Sequence, residues 1–197
     1  MGATAGGVLP GTSGVVLVLR KGGSLSGRVL LPDGKPAPAG IAVTASAVTG
    51  GARGEEGTDS SARTEKDGSF RMTGLGEFEF RVVAGGRDSV FAPTAAAGAR
   101  RAGDAGIEVR LDPGVSLSGR FVDAEGRGLM VNALFTSQEG FDRNSAWGER
   151  ISSDGLFVVK GLRPGKVSLQ VIVGGEHVGL GWFDAPAADL KVNVPLR

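Results

Sequence analysis

The stretch "GGSLSGR" at residues 22–28 returns as "GVSLSGR" at residues 114–120. A short run of small and apolar residues written twice is not reaction chemistry. It points to a fold that is itself repeated. Working outward, "GVVLVLRKGGSLSGRVLLPDGK" at 14–35 lies over "GIEVRLDPGVSLSGRFVDAEGR" at 106–127. Gly14 then falls on Gly106, Leu19 on Leu111, Leu25 on Leu117, Gly27 on Gly119 and Gly34 on Gly126. Downstream, "DGSFRMTGL" at 67–75 matches "DGLFVVKGL" at 154–162. After a two-residue insertion in the second copy, Arg163-Pro164, "GEFEFRVVAGG" at 76–86 matches "GKVSLQVIVGG" at 165–175. The gaps fall in polar, Gly-rich stretches, where connecting loops tolerate them.

Each matched block alternates with period two, the pattern of a half-buried strand. In "FEFRVVA", Phe78, Phe80, Val82 and Ala84 share one face and Glu79 and Arg81 the other. In "VSLQVIV", Val167, Leu169, Val171 and Val173 point inward and Ser168 and Gln170 outward. The repeated opening puts Leu25, Gly27, Val29 and Leu31 on the inner face, with Leu117, Gly119 and Phe121 as their copies. A slip by one residue would turn each apolar set to water, so the register is well specified. "DG" at 33–34, 67–68 and 154–155, and "EG" at 125–126, mark turns between strands, with type I′ hairpins expected. The Ala-rich "TAAAGARRAG" at 94–103 is broken by Gly and has no helical periodicity. The expected fold is all-β: two tandem Greek-key antiparallel β-sandwiches. Residues 1–14 form a flexible N-terminal segment, 15–111 the first module and 112–197 the second.

The repeat carries a further expectation. "IEVRL" at 107–111 should close module one and runs through only "DPG" into module two. Its counterparts are "VVLVL" at 15–19 and "LKVNVPL" at 190–196. Residues 15–19 therefore look like the closing strand of an earlier module, or else pair within module one as an extra edge. Val16 and Val18 stand where Glu108 and Arg110 make the copy polar, so both faces of 15–19 are apolar. A bare edge of that kind invites aggregation, so something should cover it.

Bulk composition bounds the rest. The chain has 197 residues, 35 of them Gly without a G-X-Y period, which excludes collagen. It has no Cys, so packing rather than disulfides must hold it together. A net charge of +1 gives no strong attraction to nucleic acid or to an acidic membrane. No apolar run is long enough for a membrane-spanning helix. Residues 1–14 lack the basic and apolar regions of a signal peptide, so the chain is expected to be cytosolic or a piece of something longer.

The pattern G-R-V-x-x-x-D-G-K-P, then T-E-K-D-G-S-F-x-x-x-G-L, then an alternating strand closed by Gly resembles the carboxypeptidase regulatory-like domain. The resemblance covers 22–111 and 114–196 and rests on Gly27, Gly119, Asp67-Gly68, Asp154-Gly155, Phe70, Phe157, Leu75 and Leu162. Adhesin B-type repeats and starch-binding-like folds share similar signals. The second copy departs at "AEGRGL", which lacks the Pro that follows Lys35. The resemblance implies a transthyretin-like sandwich without catalytic groups of its own. It also implies a secreted or cell-envelope setting, with other domains of a larger protein as partners. The expected function is a rigid spacer or display repeat.

The chain offers few reactive groups. One histidine, His177, cannot form a His pair, and no nucleophile motif or phosphate-binding loop is present. With one His and no Tyr, the hydroxyisourate hydrolases and intradiol dioxygenases built on similar sandwiches are disfavoured. No enzyme, cofactor or metal is expected. Asp33, Asp67, Asp123 and Asp154 sit singly near Gly and read as turn formers rather than calcium ligands. "GEEGTDSSARTEKDG" at 54–68 reads as a mobile solvated loop, and Arg100-Arg101 as solvated charge or a proteolysis site. A Lys–Asn isopeptide would have to join Lys21 or Lys166 to Asn132 or Asn193. The best ligand candidate is "GFDRNSAWGER" at 140–150, a polar loop holding Phe141 and Trp147, with Asp142, Arg143 and Asn144 as hydroxyl partners. Exposed aromatics of this kind stack on sugar rings, which makes a glycan the alternative partner, but the expectation for Trp147 is that it folds back over its own sandwich.

Overall fold

The computed structural model describes residues 10, 13–14, 16, 22–48, 59–86, 89–137, 146–173 and 175–195. Most of residues 1–14 and of 15–19, where a strand is expected, lies outside them. The described residues contain strands and no helix. In chain order the strands are β1 (Gly23–Leu30), β2 (Ala42–Ala47), β3 (Asp59–Arg63), β4 (Ser69–Leu75), β5 (Glu79–Ala84), β6 (Phe91–Ala92), β7 (Thr94–Ala95), β8 (Arg100–Arg101) and β9 (Ile107–Arg110). There follow β10 (Asp112–Pro113), β11 (Val115–Val122), β12 (Asn132–Ser137), β13 (Ala146–Arg150), β14 (Leu156–Leu162), β15 (Gly165–Val173), β16 (Glu176–Ala185) and β17 (Ala187–Asn193). Two compact units result: Met1–Ala84 with Thr94–Arg110, and Gly85–Pro93 with Leu111–Arg197.

The first unit has one sheet in the order β4-β1-β9 and another in the order β3-β2-β5-β7, with β8 also on β5. Period-two alternation fills the space between them. Leu25 and Val29 of β1, Phe70, Met72 and Leu75 of β4, and Ile107 and Val109 of β9 are buried. So are Val43 and Ala45 of β2 and Phe80, Val82 and Ala84 of β5. Phe78 is half-buried and meets Phe80 edge to face, with centroids 6.3 Å apart.

The second unit repeats the plan: β14-β11-β17 in one sheet and β13-β12-β15-β16 in the other. Three phenylalanines bridge its sheets. Phe157 of β14 lies 4.8 Å from Phe121 of β11 and 5.4 Å from Phe135 of β12, centroid to centroid. Leu117, Val159, Leu162, Val167, Leu169, Val171 and Val192 complete the core around them. Each fully buried side chain of this size contributes about 1.5–3 kcal/mol.

In both units the last strand lies beside the first and runs parallel to it. Gly27 pairs with Ile107 and Val29 with Val109; Gly119 pairs with Leu190 and Phe121 with Val192. This explains the twice-written Gly-Arg. A Cβ on Gly27 would stand 1.9 Å from the Ile107 carbonyl oxygen, and one on Gly119 would stand 2.3 Å from that of Leu190. Only glycine lets the closing strand come this near.

The turns differ from the type I′ expectation. At Leu31–Gly34 and Glu65–Gly68 the glycine N–H donates to the carbonyl three residues back. Gly34 and Gly68 are left-handed while Asp33 and Asp67 are not. The first residue of each turn then donates to the carbonyl just past the glycine, Leu31 to Lys35 and Glu65 to Ser69. These are type I turns followed by a glycine bulge, a common three-residue hairpin link. Asp123–Gly126 follows the same plan. Leu31, expected on the inner face, is half-buried just beyond β1.

Candidate functional site

The predicted ligand loop is only partly described. Phe141, Asp142, Arg143 and Asn144 lie outside the described residues. Trp147 lies on a strand rather than in a loop: β13 pairs with β12, and the Trp147 backbone faces that of Phe135. Similarly, the polar 54–68 stretch contains strand β3, which pairs with β2 from Ala42↔Arg63 to Ser46↔Asp59. Both are outer strands of their sheets, so their side chains need not alternate as a core strand's do. Arg100-Arg101 forms a short bridge strand on β5, and Arg101 donates to Glu79 Oε1 at 2.6 Å. That pair, with Glu77, Phe78 and Ala102, lines an open surface depression. The Glu79 bond holds the Arg101 pKa above its usual value.

The four turn aspartates are occupied by their own turns. Asp33 Oδ1 accepts the Lys35 N–H at 3.1 Å and Asp67 Oδ1 the Ser69 N–H at 3.0 Å. Asp154 accepts from the Ser152 hydroxyl and from the Leu156 N–H. Asp123 is the one that is buried. Its Oδ1 accepts the N–H groups of Glu125 (3.0 Å) and Arg127 (2.8 Å), and its Oδ2 the Arg127 Nε (2.7 Å). Burial works to raise the Asp123 pKa, but the Arg127 backbone and guanidinium bonds prevail and hold it below the ordinary carboxylate value. The pKa of Asp33 is lowered by Lys35, that of Asp67 by Ser69 and that of Asp154 by Ser152, in each case through a hydrogen bond to the side chain. Among the described residues no three His, Cys, Asp or Glu side chains gather as a metal would require. His177 is exposed on β16, opposite Ile172. Lys166 Nζ, one of the isopeptide candidates, sits 2.8 Å from Asp184, and Lys21 lies outside the described residues.

Two features escaped the sequence. The first is Trp182, 55 % exposed on β16, which lies at the opposite edge of its sheet from β13. Its cross-strand partner is Ser168 of β15, with Gly181 beside it. Only its place in the register tells that it faces outward.

The second is a strap. Gly85–Pro93 follows β5 of the first repeat in sequence, yet belongs to the second unit. There β6 pairs antiparallel with β10, Ala92 to Asp112 and Phe91 to Pro113. Gly114 N–H donates to Val90 O at 3.0 Å. The strap's carbonyls close over Gly161: a Cβ there would be 2.6 Å from Ser89 O, 2.7 Å from Gly86 O and 2.9 Å from Phe91 O. Ser89 Oγ braces the strap by accepting the Phe91 N–H at 3.1 Å. Arg163, half of the insertion that distinguishes the second repeat, donates to the Pro93 carbonyl.

No known family profile matches the chain, and no curated protein does either. Among solved structures it is similar to a streptococcal ancillary pilin at 15% identity and TM-score 0.36, over 93% of this chain and 66% of the pilin. It spans just under two thirds of that pilin's length. It is also similar to a DUF3823 family protein from Parabacteroides merdae, at 13% identity and TM-score 0.36, over 82% of this chain and 99% of that one. A putative carbohydrate binding protein from Bacteroides uniformis is similar at 11% identity and TM-score 0.33, over 81% of this chain and 96% of that one. All three are distant likenesses.

Proposed function

We propose that this chain is a non-catalytic structural pair of modules from a longer secreted or cell-envelope protein, where it holds neighbouring domains apart and transmits tension between them. In this reading the modules are Greek-key sandwiches of the carboxypeptidase regulatory-like, transthyretin type, divided near residues 111 and 112. One observation carries the mechanical part: first and last strands lie side by side and parallel in both units. Tension that enters at the start of β1 and leaves at the end of β9 slides the two strands past each other. The hydrogen bonds between them then break together rather than one at a time. The same holds for β11 and β17. The low net charge is in keeping with partners other than nucleic acid or lipid. Single-molecule pulling through the chain ends tests this. Two distinct high-force unfolding steps are expected; unfolding without resolvable force peaks overturns it.

A second reading is glycan binding, favoured by the exposed Trp182 indole beside Ser168. It would use the predicted cluster of Trp147, Phe141, Asp142, Arg143 and Asn144, or the β16 face. A glycan array run with Trp147→Ala and Trp182→Ala separates the two. Loss of binding in one variant assigns the site, and no binding by the parent chain ends this reading.

A further inference from the structure

The strap site of the second unit has a twin in the first, and no described residue lies over its left-handed glycine, Gly74. Gly114 and Gly161 are the repeat counterparts of Gly22 and Gly74. The two pairs share their local geometry. A Cβ on Gly114 would meet the Gly161 Cα at 2.7 Å, and one on Gly22 would meet the Gly74 Cα at 2.7 Å. Gly161 and Gly74 are both left-handed, with φ of 70° and 77°. Their flanks pair alike: Val115 with Leu162, and Gly23 with Leu75, each followed by a register shift.

What lies over them differs. Three strap carbonyls crowd the space above Gly161, whereas no described residue comes within 4 Å of the same point above Gly74. We propose that the Gly22–Gly74 platform is a docking seat for the strap of another module of this kind, one that precedes the first repeat in a longer array. The occupant is an extended segment with the chemistry of Gly85–Pro93. It has glycines at its start, a small hydroxyl residue, then Val-Phe-Ala-Pro, and it presents backbone carbonyls to the glycine pair. The covered site shows this to be the kind of chain that fits. The second repeat has no free strap of its own to offer. Its counterpart of Gly85-Gly86 is followed by β16, which is paired to β15 from Glu176↔Val173 to Ala185↔Gly165. Straps therefore run one way, each seating on the module that follows.

The first unit also lacks a counterpart of Arg163, so its seat holds a free strap more weakly than the second holds its tethered one. A tether supplies an effective concentration in the millimolar range, which sets the peptide concentration a test must reach. The inference rests on the reading of the chain as part of an array, but its test does not depend on force.

The probe is the peptide GGRDSVFAP, titrated to several millimolar against the isotope-labelled full chain, with a scrambled peptide as control. Saturable amide shifts at Gly22, Gly74 and Leu75 are expected. They should weaken at least tenfold in Gly74→Asn, since Asn tolerates the left-handed backbone while its side chain fills the seat. An unchanged spectrum of Gly74→Asn away from the site shows that the variant is folded; should it unfold, the peptide VVRDSVFAP, whose valines resist the left-handed backbone that Gly85 and Gly86 adopt in the covered site, serves in its place. No shifts, shifts at Gly114 and Gly161 alone, equal shifts with the scrambled peptide, or shifts that survive the substitution overturn the proposal. In that event, two force peaks on pulling would leave the structural reading standing.

Discussion

At the scale of single residues, two kinds of side chain hold this protein: core aromatics and turn carboxylates. Phe157 is 4 % exposed and touches both Phe121 and Phe135, so truncation removes contacts to both sheets at once. Phe157→Ala should cost about 3–5 kcal/mol, as should Phe70→Ala in the first unit. Urea titration measures both, and a cost under about 1 kcal/mol would remove that residue from the core. Asp123 gives a pH prediction. Its folded pKa lies below the ordinary value of 3.8, so its contribution is fully present above that pH. It is lost as pH falls through the depressed folded value. Melting temperature should therefore drop below about pH 4, and Asp123→Asn should flatten that acid limb. Thermal melts between neutral pH and about pH 2 decide it; an unchanged acid limb in the variant would assign the loss to other groups.

At the scale of elements, the closing strands are the sensitive joints. Gly27→Ala and Gly119→Ala must push a carbonyl away or part the parallel pair, because the added methyl would lie 1.9 and 2.3 Å from backbone oxygen. A loss of about 3 kcal/mol or more is expected in denaturant titrations, at or beyond the upper end of ordinary overpacking. Gly179→Ala on β16 is the control. No described residue stands within 4 Å of its added methyl, so its cost should stay within about 0.5 kcal/mol. Equal costs at all three would mean that strand propensity, not close approach, explains the repeated glycine. The outer strands β3 and β13 follow different rules. "DSSAR" in β3 has no apolar alternation, because an outer strand is held by backbone pairing to one neighbour and keeps charge toward water.

At the scale of the whole molecule, the two units have the same strand plan but different strap sites. On pulling, each sandwich should release about 300 Å of chain, given roughly 90 residues at about 3.3–3.6 Å each. Weakening one closing pair with Gly119→Ala should lower one force peak and leave the other. If both peaks fall together, the units do not resist force separately.

The sequence by itself determined the repeated strands β1, β4, β5, β9, β11, β14, β15 and β17, their inward faces, the places of the turns marked by Asp-Gly and Glu-Gly, and the fact of repetition. Alternation and Asp-Gly placement are local, and water enforces them residue by residue. Leu25, Val29, Phe70, Phe80, Val167 and Leu169 could all be read that way, and all are buried. Tertiary structure decided what depends on distant partners. Gly27 read as one more inward residue until the Ile107 carbonyl was found above it. Nothing in residues 85–93 as a sequence tells that their carbonyls meet Gly161 and Gly114 of the second unit. Trp182 carried no sequence signal until its register set it facing outward. A chain's local chemistry fixes how each segment bends and which side it hides. Which backbone comes to rest on which glycine is settled only when remote segments pack, and no short-range pattern records it.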